Sequence, residues 1–266
     1  LLSAHICHPS LANDNLSGLG VATELVNLLR GAPRRFGYRL IFVPGTIGAI
    51  TWLARNEERL GRVHAGLVAA NLGDGGSFSF KRSRRGSTVI DRAVEQVLRD
   101  AGEPFEISDF VPFGYDERQY CSPGFDLPVG LLSRSPWGSF PEYHTSGDDL
   151  GFIRPEHLAL SARRYREVIH VLENDRYYLN RCPKGEPQLG RRGLYGHIGG
   201  GEDGRRRQLA LLWVLNQSDG EHSLLDVAER SGMDFPTVLE AARALERADL
   251  LEELGGPRES KLGGSP

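Results

Sequence analysis

Apolar residues follow two different periods along residues 1–173. Four short apolar runs are typical of buried strands, and four longer segments have the spacing of amphipathic helices. The strand-like runs lie at 1–4, 38–43, 66–72 and 127–133, and the helical segments at 16–30, 47–60, 87–101 and 155–173. Strands that alternate with helices predict an α/β fold, with a mixed, mostly parallel sheet and helices on both faces.

The pattern changes after residue 173. Residues 174–204 are rich in Gly, Pro, Arg and Lys and show no sustained period, which predicts a linker. Residues 205–254 carry three helical segments, and a short turn of the helix-turn-helix kind joins the last two. These segments lie at 205–217, 223–231 and 235–248. We expect domains at 1–173 and 205–254, the second winged-helix-like, and a disordered tail at 255–266.

Composition places the chain among ordinary globular proteins, with 39% apolar and 25% charged residues. The chain begins at Leu1 inside a strand-like run, so we expect an N-terminal part to precede it. No run of eighteen apolar residues occurs, and Cys7, Cys121 and Cys182 are too few and too widely spaced for a disulfide framework. These features favour a cytoplasmic protein with no membrane partner.

Two imidazoles and a carboxylate follow the first predicted strand. His5, His8 and Asp14 lie in the segment His5-Ile6-Cys7-His8-Pro9-Ser10-Leu11-Ala12-Asn13-Asp14, which leads into a predicted helix. Ligands bind at the carboxyl ends of strands in such sheets, and this residue set suits zinc. The alternative is structural: Asp14 caps the helix, and the histidines satisfy hydrogen bonds of the loop.

More polar residues follow other predicted strands. Asp74 follows the strand at 66–72, Asp116 and Glu117 precede the strand at 127–133, and His144 follows it together with Glu142 and Tyr143. A lone histidine at such a place is more often structural than a ligand. Several ionisable residues that converge on one edge of a sheet favour a functional site.

These residues resemble those of the zinc aminopeptidases of the bacterial leucine aminopeptidase type over most of residues 1–170. The strings CHPSLANDNLSG, DERQYCSPG and PEYHTS, with a C-terminal winged helix, are most similar to aminopeptidase-like proteins labelled as polysaccharide-biosynthesis proteins. The resemblance implies metal ligands at His5, Asp14, Asp74 and His144. His8 is an extra imidazole that would replace or accompany His5.

The chain departs from that resemblance after its second strand. Cocatalytic aminopeptidases carry two adjacent glutamates there, a general base and a metal ligand, where this chain has Gly45 and Thr46. We therefore expect one Zn²⁺ rather than two. A positioned base contributes roughly two to four powers of ten in rate. Either Glu117 or Glu142 replaces the base, or the protein is a catalytically impaired zinc-binding scaffold in polysaccharide or natural-product biosynthesis.

The expected substrate is a small peptide or an amino-sugar-like compound with a free amine. The resemblance implies that Asp116 and Tyr143 line its pocket. Arg82 and Arg85 belong to the basic run Lys81-Arg82-Ser83-Arg84-Arg85, which would bind a carboxylate or phosphate of the substrate. The alternative for this run is a solvated surface loop.

The winged-helix-like segment raises the question of DNA binding. Residues 205–266 hold 8 Lys and Arg against 11 Asp and Glu, a balance of −3, and the whole chain also carries a net charge of −3. Contacts to phosphate need the opposite balance. DNA-binding regulation is therefore the weakest hypothesis, and a packing or partner-docking role, including a homo-oligomer formed through this domain, is favoured.

Overall fold

The computed structural model describes residues 1–31, 33–136, 138–194 and 202–258. The chain divides into two compact units, Leu1–Glu173 and Asn174–Pro266. Within the described ranges, every helix is too short or too polar to span a bilayer.

A six-stranded sheet forms the centre of the first unit. Its strands are β1 (Leu2–His5), β2 (Leu40–Val43), β3 (Gly66–Ala69), β4 (Phe78–Lys81), β5 (Phe105–Ser108) and β6 (Val129–Ser133). They lie in the order β2-β1-β3-β6-β4-β5. Strands β2, β1, β3 and β6 are mutually parallel, whereas β4 pairs antiparallel with β6 and parallel with β5. The mixed, mostly parallel sheet expected from the sequence is confirmed.

Five helices accompany this sheet. They are α1 (Gly18–Leu29), α2 (Ile47–Asn56), α3 (Val89–Ala101), α4 (Glu117–Tyr120) and α5 (Pro155–Asn174). A short helical segment, Ala12–Ser17, leads into α1, and a 3₁₀ segment, Glu57–Arg62, follows α2. Helix α3 begins at a capping box of Thr88 and Asp91 and ends at Gly102, whose φ of 68° suits glycine.

The middle of the sheet is covered on both faces, as parallel strands require. All four residues of β3 and all five of β6 are buried. Tyr165 of α5 is fully buried, and its hydroxyl donates to the carbonyl oxygens of Leu132 (2.6 Å) and Val68 (3.2 Å). This side chain therefore ties α5 to two neighbouring strands.

Strands β4 and β5 are absent from the sequence-based expectation. Each has only four residues, and in both of them apolar and polar residues alternate. An alternation of that length is too short to stand out from a loop. They extend the sheet beyond β6, away from the edge where β2 lies.

The second unit combines three helices with a small antiparallel sheet. The helices are α6 (Glu202–Gln217), α7 (Leu224–Ser231) and α8 (Phe235–Arg247), and the strands are β7 (Tyr177–Asn180), β8 (Asp219–Ser223) and β9 (Leu251–Leu254). The sheet has the order β8-β7-β9. Gly232, with a φ of 67°, ends α7, and the Asp234 side chain accepts the Thr237 N–H at the start of α8.

The expected linker at 174–204 needs a correction. Its first part contains β7, which is the central strand of the C-terminal sheet and pairs with both β8 and β9. The pairing partners of β7 lie some 40 to 75 residues further along the chain, so no local period indicates them. A 3₁₀ turn at Gly190–Arg192 also falls in this segment. Residues 195–201, and residues 259–266 of the expected disordered tail, lie outside the described residues.

Candidate metal centre

The carboxyl ends of four parallel strands lie along one edge of the sheet. Strand β1 ends at His5, β2 ends two residues before Gly45, and β3 ends two residues before Asn71. The loop that follows β6 carries His144 and Asp148. The convergence of distant polar residues therefore follows from strand direction, as in other open α/β sheets.

Asp14 lies at the centre of this edge, between three histidines. Its Oδ1 is 2.6 Å from His5 Nε2, and its Oδ2 is 3.1 Å from His144 Nε2 and 3.7 Å from His8 Nδ1. Asp14 and His5 are buried, whereas His144 is about half exposed. Solvent therefore reaches the group from the His144 side, whereas the His5 side is closed.

The histidines control the charge of Asp14. Burial by itself raises the pKa of this carboxyl group, but the hydrogen bond from His5 and the proximity of His5, His8 and His144 outweigh it and lower the pKa below its ordinary value. Asp14 is therefore ionised at neutral pH. An ionised carboxylate beside imidazole nitrogens is the form that binds a metal ion.

The backbone around Asp14 is held by residues far away in sequence. Asp148 accepts the N–H groups of Asn13 (2.5 Å) and Asp14 (2.9 Å). Asn13 in turn receives the Gly73 N–H on its Oδ1 at 2.8 Å. The loops after β3 and β6 thus fix the loop after β1 from both sides.

In the part of the chain that the structure describes, two sets of donor atoms are compact enough to hold a metal ion. One is His8, Asp14 and His144, and the other is His5, Cys7 and His8, each with its ligand atoms within 4.8 Å of one another. The buried Nδ1 of His8 has no hydrogen-bond partner among the described residues. An unpaired buried nitrogen beside an ionised carboxylate fits the binding of a cation, and imidazole, carboxylate and thiolate are all donors for Zn²⁺.

Two tyrosines stack on the histidines of the centre. The Tyr115 ring lies 4.8 Å from the His5 ring, and the Tyr143 ring lies 4.0 Å from the His144 ring, both nearly parallel. His144 itself has a left-handed backbone, with a φ of 55°, which is uncommon outside glycine. Tyr143 was expected to line the substrate pocket, and the structure places it against a candidate ligand. Tyr115 was missed, although it directly precedes Asp116.

Asp74 is in neither donor set. Its Oδ2 accepts from Asn13 Nδ2 at 2.7 Å, and its Oδ1 accepts from the Gly76 N–H at 2.7 Å and from Ser135 Oγ at 2.6 Å. Through these hydrogen bonds Asp74 joins the loops after β1, β3 and β6. The resemblance implied that Asp74 is a ligand, and that role stays a prediction.

The two acidic residues at the start of α4 have different surroundings. Glu117 is buried and forms an ion pair with Lys81. Asp116 is 1% exposed, and neither of its oxygens has a hydrogen-bond partner among the described residues. Burial raises the pKa of Asp116 to about 6, against the opposing effect of His5 and with a further rise from Glu117.

Other expected site residues lie outside the donor sets. Glu142 is half-buried in the loop that carries His144. Arg82 is paired with Glu95 and Asp109, and Arg85 with Asp126. The charges of Arg82 and Arg85 are therefore offset within their own unit, and their binding of an anionic substrate stays a prediction.

Cys7 was missed as a candidate donor. It is exposed and lies between the two histidines of the loop after β1. The spacing His5-x-Cys7-His8 is the signal that could have indicated it, because alternate residues of an extended segment face the same side.

The amino-acid sequence of residues 1–175 matches the model of a family described as a domain of unknown function, DUF4910, and residues 176–253 match a winged helix-turn-helix model. This chain belongs to the DUF4910 family. The second match confirms the winged-helix expectation for the C-terminal unit, and its start at residue 176 agrees with the inclusion of β7 in that unit.

Two relatives of this DUF4910 protein come from Clostridium acetobutylicum. One, whose name proposes a polysaccharide biosynthesis protein with an aminopeptidase-like domain, is 49% identical over 252 residues, which are 95% of this chain and 58% of the relative. The other is a crystal structure described as a proposed peptidase, with 46% identity and a TM-score of 0.89 over 95% of this chain and 57% of that one. The chain thus spans a little over half the length of these relatives.

A more distant solved structure is a zinc aminopeptidase from Bacillus subtilis. It is 17% identical, with a TM-score of 0.52 over 64% of this chain and 45% of that chain. This likeness shows a shared fold. The DUF4910 domain is therefore aminopeptidase-like in architecture, as the sequence strings indicated.

Proposed function

We propose that this DUF4910 protein is a zinc-dependent hydrolase of the aminopeptidase type, which cleaves an amide bond next to a free amine in a small peptide or an amino-sugar-like substrate. The observation that supports this most is the meeting of His8, Asp14 and His144, with donor atoms within 4.8 Å. Asp14 and His144 are 130 residues apart, and a purely structural ion pair would not explain the unpaired His8 Nδ1 beside them.

The residues of the candidate metal centre would have different roles in this reaction. A divalent cation held by this set would polarise an amide carbonyl and make a water molecule more acidic. Asp148 fixes the backbone of Asp14, and Tyr143 stacks on His144, so both restrict the positions of the donor atoms. His144 is the most exposed of the three donors, which favours an approach of the substrate from its side.

A second candidate is a zinc-binding scaffold with little or no catalytic activity, acting in polysaccharide biosynthesis. Gly45 favours it, because this residue offers no proton acceptor beside His5. The name of the Clostridium relative supports the same pathway. Regulation through DNA is favoured by the winged helix-turn-helix match, but the charge balance of −3 from residue 205 onward counts against it.

Metal analysis of the full-length protein, joined to hydrolysis of aminoacyl-arylamides after Zn²⁺ loading, separates the two candidates. The hydrolase predicts about one Zn²⁺ per chain and turnover that a chelator abolishes and Zn²⁺ restores. The scaffold predicts the same metal content without turnover. A protein that binds no Zn²⁺ contradicts both candidates.

His144→Ala tests in the same experiment whether His144 is a ligand of the metal ion. It removes one exposed donor while the buried His5 and Asp14 remain, so folding should be retained. We expect loss of Zn²⁺ binding and of hydrolysis together. Retention of either one would exclude His144 from the centre.

A further inference from the structure

Gly45 lies beside the candidate metal centre and has no side chain. A Cβ added to Gly45 would lie 3.2 Å from His5 Cβ, 3.5 Å from Asp116 Oδ1 and 3.6 Å from Cys7 Sγ. The space at Gly45 therefore adjoins the donor set of His5, Cys7 and His8 and the Asp116 carboxylate. Hydrolysis needs a proton acceptor at such a place, and glycine supplies none.

Asp116 is the acidic residue that faces this space. It is almost fully buried, and neither oxygen has a hydrogen-bond partner among the described residues. Buried carboxylates are normally paired, so an unpaired one fits a polar partner other than a residue of this chain. A water molecule next to the bound cation would be such a partner.

Other carboxylates near the centre have partners or are less buried than Asp116. Glu117 pairs with Lys81, and Asp14 binds His5 and His144. Asp74 uses both oxygens in hydrogen bonds to neighbouring loops. Glu142 is only half-buried. Of the two residues that the sequence suggested as replacement bases, Glu117 is held in an ion pair with Lys81 and Glu142 is only half-buried. Asp116 is buried and has no ion-pair or hydrogen-bond partner among the described residues.

We propose that Asp116 is the proton acceptor of this site. This assignment rests on the hydrolase function proposed above. In the first step, water attacks the amide carbon, and one proton of the water passes to the Asp116 carboxylate. The C–N bond then breaks, and Asp116 returns the proton to the departing nitrogen. The products are a carboxylic acid and an amine, and Asp116 ends in its starting state.

Four forms of the full-length, Zn²⁺-loaded protein test this assignment: the unchanged protein, Asp116→Asn, Gly45→Glu and the double variant. We expect Asp116→Asn to lower kcat by about 10²- to 10⁴-fold, the usual effect of losing a positioned base. Its KM should change by less than about threefold, because substrate binding is retained. The double variant should recover at least about tenfold in kcat, since a glutamate at position 45 points into the same space.

Zn²⁺ affinity is the readout that a ligand role would change. We expect Asp116→Asn to bind Zn²⁺ within about threefold of the unchanged protein, in competition with a chromophoric chelator, because a metal ligand or its orienting partner would cost about tenfold or more. Asp109→Asn is the control for a neutralised aspartate, since Asp109 is exposed and pairs with Arg82. It should leave kcat, KM and Zn²⁺ affinity unchanged.

Each of the other outcomes contradicts a particular part of the proposal. Unchanged kcat in Asp116→Asn, with the parent active, excludes Asp116 as acceptor and leaves the hydrolase function intact. A tenfold loss of Zn²⁺ affinity makes Asp116 a ligand instead. Activity in Gly45→Glu but not in the parent also excludes Asp116 as acceptor and favours the impaired scaffold. No turnover in any of the four forms removes the hydrolase function itself, and the assignment of Asp116 with it.

Discussion

Asp148 and Asp14 are 134 residues apart, and the Asp148 Oδ2 accepts the Asp14 N–H at 2.9 Å. The other oxygen of Asp148 accepts the Asn13 N–H at 2.5 Å. A single carboxylate therefore fixes the loop that carries the central candidate ligand. Because Asp148 is buried and Asp14 fully so, this contact forms only when both halves of the first unit are folded together.

Asp148→Asn should weaken Zn²⁺ binding by about 10- to 100-fold, as expected for a residue that orients a ligand. The amide retains one acceptor oxygen and replaces the other by a donor, which cannot accept a backbone N–H. Chelator competition measures the affinity. Asp149→Asn is the matched control, because Asp149 is exposed and accepts only local N–H groups of Gly151 and Phe152. Equal affinity losses in both variants would count against the orienting role of Asp148.

Asp14→Asn should lower Zn²⁺ affinity by more than about 100-fold, beyond the range of orienting residues. The change removes the charge that the three histidines surround and keeps the shape of the side chain. Asp74→Asn neutralises another buried aspartate next to the same loops, and it should change affinity by less than about tenfold. A larger loss in Asp74→Asn than in Asp14→Asn would support Asp74 as a ligand, the role that the resemblance implied.

Asp234→Ala should destabilise the start of α8 by about 1 kcal/mol, the usual value of an N-cap. Asp234 accepts the Thr237 N–H at 2.8 Å. Hydrogen exchange of the α8 amides measures this local effect. Asp249→Ala, a change of an exposed aspartate beyond the end of the helix, should leave exchange at the start of α8 unaltered.

The same cap predicts a dependence on pH. Burial raises the pKa of Asp234, but the hydrogen bonds from Thr237 and the proximity of Arg206 outweigh this and lower it below 3.8. A folded-state pKa below the unfolded value stabilises the folded state above that value, and the contribution disappears as pH falls through the folded-state pKa. The difference between parent and Asp234→Ala should therefore be constant near neutral pH and shrink in acid below pH 3.8. A difference that grows in acid would refute the cap assignment.

Tyr165→Phe should lower the free energy of unfolding of the first unit by about 1 to 2 kcal/mol, because two buried carbonyl groups lose their hydroxyl donor. Denaturant titration measures the change. Tyr38→Phe is a milder comparison, since the Tyr38 hydroxyl donates to Glu173 at a half-buried position. Equal losses of unfolding free energy in the two variants would show that burial does not increase the contribution of the Tyr165 hydrogen bonds.

The C-terminal unit should not bind duplex DNA in a salt-dependent manner. Arg206 and Arg243 are engaged by Asp234 and Asn174 within the unit, and the sequence from residue 205 onward carries a balance of −3. A mobility-shift titration at low and physiological salt measures binding. A shift that weakens steeply as salt rises would overturn this expectation, because release of counterions from phosphate produces that dependence.

Local periodicity in the sequence was sufficient for most helices and for the central strands. Strands β1, β2, β3 and β6 and helices α1, α2, α3 and α5 overlap the predicted segments, because each is long or apolar enough to show its own period. Strand β7 was missed because its partners lie far along the chain and its four residues carry little pattern.

The sequence by itself determined which residue types are available at the sheet edge: His5, His8 and Asp14 after β1, and His144 after β6. It also showed that position 45 holds a glycine. Only the tertiary structure decided which of these side chains meet, that Asp74 joins loops, and that Asp116 rather than Glu117 remains unpaired beside Gly45. The reason is physical: residue type fixes what a side chain can donate or accept, whereas burial and long-range contacts decide which of those groups are already satisfied.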